Sequence, residues 1–297
     1  MTGLDAGQRH AAREDTPRGL DPALLRNVRA SKDARRQLAR RPELVRWVRL
    51  TDEDAARAQA AGVGPAADHS LDCQTAEQRH EEYTRLYAPS QLDPASHELT
   101  PAAAAALLRE LDLRASDTFI DLGSARGTLV LVAAATTECG CCAGVELSPS
   151  SHAAAEAAAA QHVARSPDDT ARLRFYCGDL REAAPLRDFS VLYCGVGVGN
   201  RAALTRDLVQ RIAVLPAPPG SPCRRLVLAG FGIDARGEPH EGRVRLVRAY
   251  ALQGAPGATG TSTALPLYTH TEGPRVLLEY EIDPPPSEPD GLGLGES

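Results

Sequence analysis

Phe119-Ile120-Asp121-Leu122-Gly123-Ser124-Ala125-Arg126-Gly127-Thr128-Leu129-Val130 is the stretch on which the fold turns. A short apolar run follows the polar Arg114-Ala115-Ser116-Asp117, passes through two glycines and continues as an apolar segment to Ala135. That pattern predicts a strand, a tight glycine turn and a helix. Glycine at such a turn lets a ligand approach bare backbone, and the following helix directs its free N–H groups at whatever sits there. A dinucleotide fingerprint asks for glycine at positions 125 and 128 as well. Those positions are Ala125 and Thr128, so that fit is poor.

Two further runs extend the pattern. Cys141-Cys142-Ala143-Gly144-Val145-Glu146 reads as a second strand ending in a carboxylate, and Leu173-Arg174-Phe175-Tyr176-Cys177-Gly178-Asp179-Leu180 as a third ending in Gly-Asp. A carboxylate at the end of the second strand is placed to accept two hydrogen bonds at once from a ribose. Acids at the ends of three successive strands, with a glycine turn at the first, point to a nucleoside-binding crevice. The bland alternative is three ordinary strand ends. The spacing Asp121-x-Gly123-x-Ala125-x-Gly127 resembles the first motif of class I S-adenosylmethionine-dependent methyltransferases. The resemblance implies S-adenosyl-L-methionine as cofactor. It assigns the binding to Asp121, Gly123, Ser124, Gly127 and Thr128 at the first turn, to Glu146, and to Asp179 and Leu180, with Asp179 meeting the adenine amino group.

At 297 residues and a net charge of −6, the chain is long enough to bury a sizeable core. Lys32 is the only lysine among 33 basic residues, and alanine is heavily used, which reads as coding bias toward arginine and alanine. No apolar segment approaches the roughly 18 residues that span a bilayer. The polar Met1 to Thr16 has no hydrophobic signal region, so an intracellular protein with no membrane partner is expected. Most of the seven cysteines lie in apolar strands, as reduced buried thiols do. Cys139-x-Cys141-Cys142 has no second ligand pair at zinc-ribbon spacing, and no metal is expected.

Residues 1–20 are polar and read as disordered. Residues 21–70 read as a basic helical appendage and linker. Leu24, Leu25 and Val28 form one helical stripe, Leu44, Val45 and Val48 with Trp47 another, and a small-residue linker runs to Gly62-Val63-Gly64-Pro65. Nine basic residues against Asp33 and Glu43 make residues 22–50 strongly positive. That is either a polyanion- or acidic-patch-binding surface or a solvated helical face. The core domain is expected over 71–283. It opens with a helix from Thr75 to Leu86 and another from Pro101 to Leu111 capped by Thr100. A fourth strand, Ser190 to Cys194, runs into Gly195-Val196-Gly197-Val198-Gly199-Asn200, followed by a helix from Arg201, a fifth strand over Arg225 to Gly230 and another over Arg243 to Leu252. In that last strand Val247-Arg248 breaks the alternation, through a bulge or through Arg248 lying at a rim. Leu265 to His270 or Val276 to Ile282 supplies its partner, and 284–297 reads as a disordered tail. The fold class expected is α/β, a class I methyltransferase Rossmann-like doubly wound sheet, mostly parallel with a late antiparallel hairpin, plus the N-terminal helical appendage.

Glu98-Leu99-Thr100 ahead of the core, taken with Asp121-Leu122-Gly123-Ser124, Gly144-Val145-Glu146, Gly178-Asp179 and Leu267-Tyr268-Thr269-His270-Thr271, is similar to the disruptor-of-telomeric-silencing family. These are nucleosomal histone lysine methyltransferases without a SET domain. The similarity implies that the Glu98 and Thr100 loop closes over the methionine end of the cofactor, that the acceptor is a protein lysine, and that the partner is a nucleosome or another protein. Location would be nuclear if the acceptor is a histone and cytoplasmic otherwise. The family's paired asparagines and aromatic are replaced by Gly195, Val196 and Gly197, and its mid-motif glycine by Ala125. No catalytic base is assigned. The alternatives are a small-molecule or non-histone protein methyltransferase, a catalytically silent cofactor-binding interaction module, and a nicotinamide-dependent dehydrogenase.

Overall fold

The computed structural model describes residues 32–60, 98–182, 185–195, 201–218, 220–230, 240–253 and 275–286, with 62, 81, 85, 232 and 233. Eight strands form one sheet: β1 (Val45–Arg49), β2 (Thr118–Leu122), β3 (Cys141–Glu146), β4 (Leu173–Cys177), β5 (Val191–Cys194), β6 (Arg224–Ala229), β7 (Val244–Gln253) and β8 (Arg275–Ile282). Their order is β1-β7-β8-β6-β5-β2-β3-β4. Every pairing is parallel except the two made by β8, which runs antiparallel between β6 and β7. β2, β3 and β5 are apolar nearly throughout and buried, as central parallel strands covered on both faces must be.

The α-helices among the described residues are α1 (Lys32–Arg40), α2 (Asp52–Ala60), α3 (Pro101–Leu111), α4 (Thr128–Thr136), α5 (Pro149–Arg165) and α6 (Arg201–Ala213). Side chains alternate across the sheet, so β2 sends Ile120 and Leu122 into one core layer and Phe119 into the other. The first layer is closed by α1 and α6 through Ala34, Leu38, Leu204 and Leu208. The second is closed by α2, α3 and α4. α4 is apolar all round and buried from Thr128 to Ala134, because it lies between the sheet and neighbouring helices. The alanine run Ala102–Ala106 of α3 is wholly buried. Its small side chains let α3 sit close against the second layer, so this run is a packing device as well as a compositional bias.

Two expectations need correction, and the break in β7 is decided between its two readings. Leu44 ends a short 3-10 turn, Pro42–Leu44, and the residues after it are not helical: Val45–Arg49 is β1, paired in parallel with β7 from Val45↔Ala249 to Arg49↔Gln253. Val45 and Trp47 pack toward one layer and Val48 toward the other, an alternation of β-branched and aromatic residues that suits a strand. The expected linker over 51–70 begins as a helix instead. Thr51 and Asp54 form a reciprocal cap at the start of α2, with Asp54 N donating to Thr51 Oγ1 (3.2 Å) and Thr51 N to Asp54 Oδ2 (2.9 Å). The alternation break in β7 is a bulge, a register shift between Leu246 and Arg248 against β8. Arg275–Ile282 is the antiparallel partner left open above. The helix expected over Thr75 to Leu86, the Leu265 to His270 segment and both chain ends fall outside the described residues, apart from 81, 85 and 284–286.

α1 is tied to the sheet by polar contacts as well as by Leu38. Gln37 Nε2 donates to Ile233 O, Tyr280 Oη donates to Gln37 Oε1, and Ile233 N donates to Tyr280 Oη at 3.0 Å. A Cβ on Gly232 would meet Ala34 N at 3.1 Å, so the segment after β6 lies close under this helix.

Candidate functional site

After β2 the chain crosses to α4 in one layer, and after β5 to α6 in the other. Adjacent parallel strands whose connections leave in opposite directions open a crevice at their carboxyl ends. The glycine turn lies there. Gly123 N and Ser124 N both donate to Val145 O at 2.9 Å, and Gly127 N donates to Ser124 O at 2.7 Å. Gly123, Ala125 and Gly127 all have positive φ, at 91°, 47° and 79°. Gly127 is the N-cap of α4, and a Cβ there would strike the Phe175 ring at 2.7 Å. Ala125 adopts the left-handed conformation despite its methyl group, which costs about 1 kcal/mol or more. The turn is thus pulled tight against β3, and Gly144 completes the fit: a Cβ on it would lie 2.6 Å from Ser124 Oγ.

Three carboxylates surround this turn. Glu146 accepts from Ala125 N through Oε2 (2.9 Å) and from Ser148 N through Oε1 (2.8 Å), which pins the turn to the start of α5. Glu98 accepts from Thr128 N at 3.1 Å and also from Arg126 N and the Thr128 side chain, so it occupies the first free N–H groups of α4. Asp121 is buried, and its Oδ1 has no hydrogen-bond partner, as is also true of Ser124 Oγ beside it. Burial pushes all three carboxyls above their ordinary range. The upward shift is large for Asp121, where the charges of Glu98 and Glu146 add to the effect of burial.

The remaining predicted residues are placed as follows. Thr100 caps α3, its Oγ1 accepting from Ala103 N at 3.3 Å, while Glu98 two residues earlier caps α4. Asp179 stands at the end of β4, where Arg181 donates to Oδ1 through N (2.9 Å) and Nε (2.8 Å) and reaches Oδ2 through Nη2. Burial raises the Asp179 carboxyl, but the Arg181 contacts outweigh it and hold the group below its usual range. Leu180 is buried beside it. Of the glycine loop after β5, Gly195 is described and 196–200 are not. Arg181 was missed from sequence because arginine was discounted as a coding bias. Gly144 stands in the sequence only as part of Gly144-Val145-Glu146, and its packing against Ser124 has no one-dimensional signal.

This arrangement selects among ligands. Glu98 fills the helix terminus on which a dinucleotide's pyrophosphate would rest, and a trio of carboxylates repels such an anion. An orphaned buried carboxylate oxygen and a backbone cradle suit a ligand with hydroxyls and positive charge. Residues 93–167, from just before Glu98 through α5, match the family model described as histone methylation protein DOT1. The chain carries the class I methyltransferase fold and resembles the DOT1 family. The DOT1-like stretch covers less than half of the chain. Similar solved structures include an RNA methyltransferase from Salinibacter ruber in complex with S-adenosyl-L-homocysteine (21% identity, 63% of this chain and 93% of that one, TM-score 0.38). Others are TrmN from Thermus thermophilus (18%, 62% and 49%, TM-score 0.38) and a precorrin-6y C5,15-methyltransferase from Geobacter metallireducens (13%, 64% and 93%, TM-score 0.38). The chain spans about half the length of the Thermus protein. A sequence search of curated proteins gave no significant match. Among the described residues no helix is long and apolar enough to cross a membrane, and no group of three or more His, Cys, Asp or Glu side chains is arranged to hold a metal ion.

Proposed function

We propose that this DOT1-like chain binds S-adenosyl-L-methionine in the crevice between β2 and β5 and directs its methyl group to a protein lysine, with a nucleosomal histone as the favoured acceptor. The observation that carries the cofactor reading is the ring of carboxylates, the buried Asp121 and Glu146 with the half-buried Glu98, around a turn with three positive φ values. When bound, S-adenosylmethionine supplies an electrophilic methyl on a positively charged sulfur. Asp121 offers its unpartnered Oδ1 to the ligand's ammonium group, which would relieve a buried acceptor of its missing hydrogen bond. Glu146 has both oxygens engaged by backbone and keeps further lone pairs for the ribose hydroxyls. Asp179, ionised and steadied by Arg181, receives the adenine amino group, with Leu180 beside it.

The lysine part of the reading is supported by the match over residues 93–167. A lysine acceptor must lose its proton first. From a reference pKa of about 10.4 that costs about 4.6 kcal/mol at pH 7, and a dry crevice lowers the cost by disfavouring the ammonium form. A nuclear place of action goes with that acceptor.

The test is incubation with methyl-labelled cofactor against nucleosomes, free histones, transfer RNA and a metabolite extract. Label on nucleosomal lysines is expected. Label confined to RNA or to metabolites would reject the lysine acceptor. Failure of S-adenosylhomocysteine to raise Tm, beside a rise with NAD, would reject the cofactor.

A further inference from the structure

Tyr193 lies one residue before the end of β5, directly beside Asp121 of β2 in the parallel register. Register partners in neighbouring strands present their side chains to the same face of the sheet. The pair therefore flanks the crevice from its two walls, and both residues are buried. The direction of the tyrosine ring is given by Gly195. A Cβ built on Gly195 would lie 3.0 Å from Tyr193 Cε1, 3.0 Å from Oη and 3.3 Å from Cζ. The ring thus runs lengthwise along the strand, with its hydroxyl over residue 195, toward the carboxyl end of the sheet. Glycine at 195 leaves that space open, and a Cβ there would press on the ring and make it give by a few tenths of an ångström.

Resting on the methyl-transfer reading, we infer that Tyr193 is the residue that orients the incoming amine, its hydroxyl oxygen accepting a hydrogen bond from the acceptor nitrogen where that nitrogen meets the cofactor's methyl. Three features of the site favour this role. The phenol is a hydrogen-bond acceptor that carries no charge at pH 7, so it steadies a neutral amine without drawing it back to the ammonium form. The hydroxyl carries two lone pairs and accepts from the amine while also donating elsewhere. The ring is held on one side by the second core layer, to which it belongs. Its orientation is therefore set before any acceptor arrives, which is what alignment of a nucleophile requires. The acceptor class this implies is a primary or secondary amine. An oxygen nucleophile that has lost its proton has nothing to donate to Tyr193.

The test requires no knowledge of the acceptor. Sinefungin carries an amino group on carbon in place of the methylsulfonium, so it sets an amine where methyl and acceptor meet. S-adenosylhomocysteine lacks that amine and serves as the control. Calorimetric Kd values for both ligands are to be measured on the full chain and on Tyr193→Phe, which keeps the ring and removes only the hydroxyl. Sinefungin should bind Tyr193→Phe about tenfold more weakly, with S-adenosylhomocysteine affinity and its Tm rise within twofold of wild type. Gly195→Ala, which displaces the ring, should reproduce the sinefungin loss. Unchanged sinefungin affinity in Tyr193→Phe overturns the inference. So does an equal loss for both ligands, which would make Tyr193 a support of the cofactor pocket alone. If wild type binds neither compound, the cofactor reading itself fails, and the inference falls with it by a separate and recognisable route.

Discussion

Asp121 is held by the fold at a cost. Its buried Oδ1 has no partner, and Glu98 and Glu146 add like charge, so the carboxyl is pushed well up. Asp121→Asn removes the charge and keeps the shape. The apo variant should be more stable than wild type by about 1–3 kcal/mol in urea unfolding, the cost of an uncompensated buried group. It should also lose the Tm rise given by S-adenosylhomocysteine. A variant less stable than wild type would show that Asp121 is satisfied in ways the geometry does not reveal. The same shift fixes a pH dependence. A carboxyl whose folded pKa lies above its unfolded value binds more protons when folded, so its stability contribution is full below about pH 4 and is lost as pH rises through the raised pKa. The stability gap between Asp121→Asn and wild type should therefore widen as pH rises above about 4, until the raised pKa is passed. Affinity for a cationic ligand should rise over the same window as the carboxylates ionise. A gap that stays flat would count against the raised pKa.

Helix ends carry much of the organisation around the crevice. Glu98 caps α4 and Thr100 caps α3, so a three-residue segment fixes two helix starts at once. Thr100→Ala should cost about 1 kcal/mol of stability, within the 0.5–2 kcal/mol usual for a lost N-cap. S-adenosylhomocysteine affinity should change little. A large loss of affinity with unchanged stability would instead mean that Thr100 touches the ligand, as the family resemblance implies. The Thr100 cap was legible in the sequence because Thr-Pro followed by an apolar run is a local signal. So were β2 to β6, whose apolar runs end in acids or glycines. β1 was not. Val45-Arg46-Trp47-Val48 supports either periodicity over so few residues, and its strand character depends on β7, far away in the chain. The reciprocal Thr51 and Asp54 cap was present as a readable pattern and was passed over because small residues suggested a linker. Discounting arginines as bias also hid real work. Arg172 donates to the carbonyls of Ala134, Thr137 and Cys139 and pairs with Asp169. Arg225 bonds Glu279 at 2.5 Å and the Leu111 carbonyl at 2.8 Å. Such roles appear only once distant segments are brought together.

The basic segment and the sheet cannot be separated cleanly, and that changes how the partner proposal is tested. Residues 22–50 include β1, so deleting them would strip an edge strand as well as remove charge. Charge substitution is the sounder route. Arg36, Arg40 and Arg46 are exposed, and replacing all three with alanine should leave the Tm rise with S-adenosylhomocysteine intact. If the segment meets nucleosomal phosphates, affinity should fall, and the slope of log K against log salt should become shallower by up to about 0.9 per lost contact. An unchanged slope would leave only a solvated face. The pairing of β1 with β7 also bears on how the protein is made. Val45 meets Ala249, roughly two hundred residues downstream, so at 5–20 residues per second the partner strand leaves the ribosome some 10–40 seconds after β1 has emerged. During that interval Val45, Trp47 and Val48 have no sheet to join, and α1 lacks Tyr280 and Ile233, its anchors. Though made well before their partners, α1 and β1 are thus among the last of the described elements to find their place, and a message cut short before β7 would leave them uncovered beside an unfinished sheet.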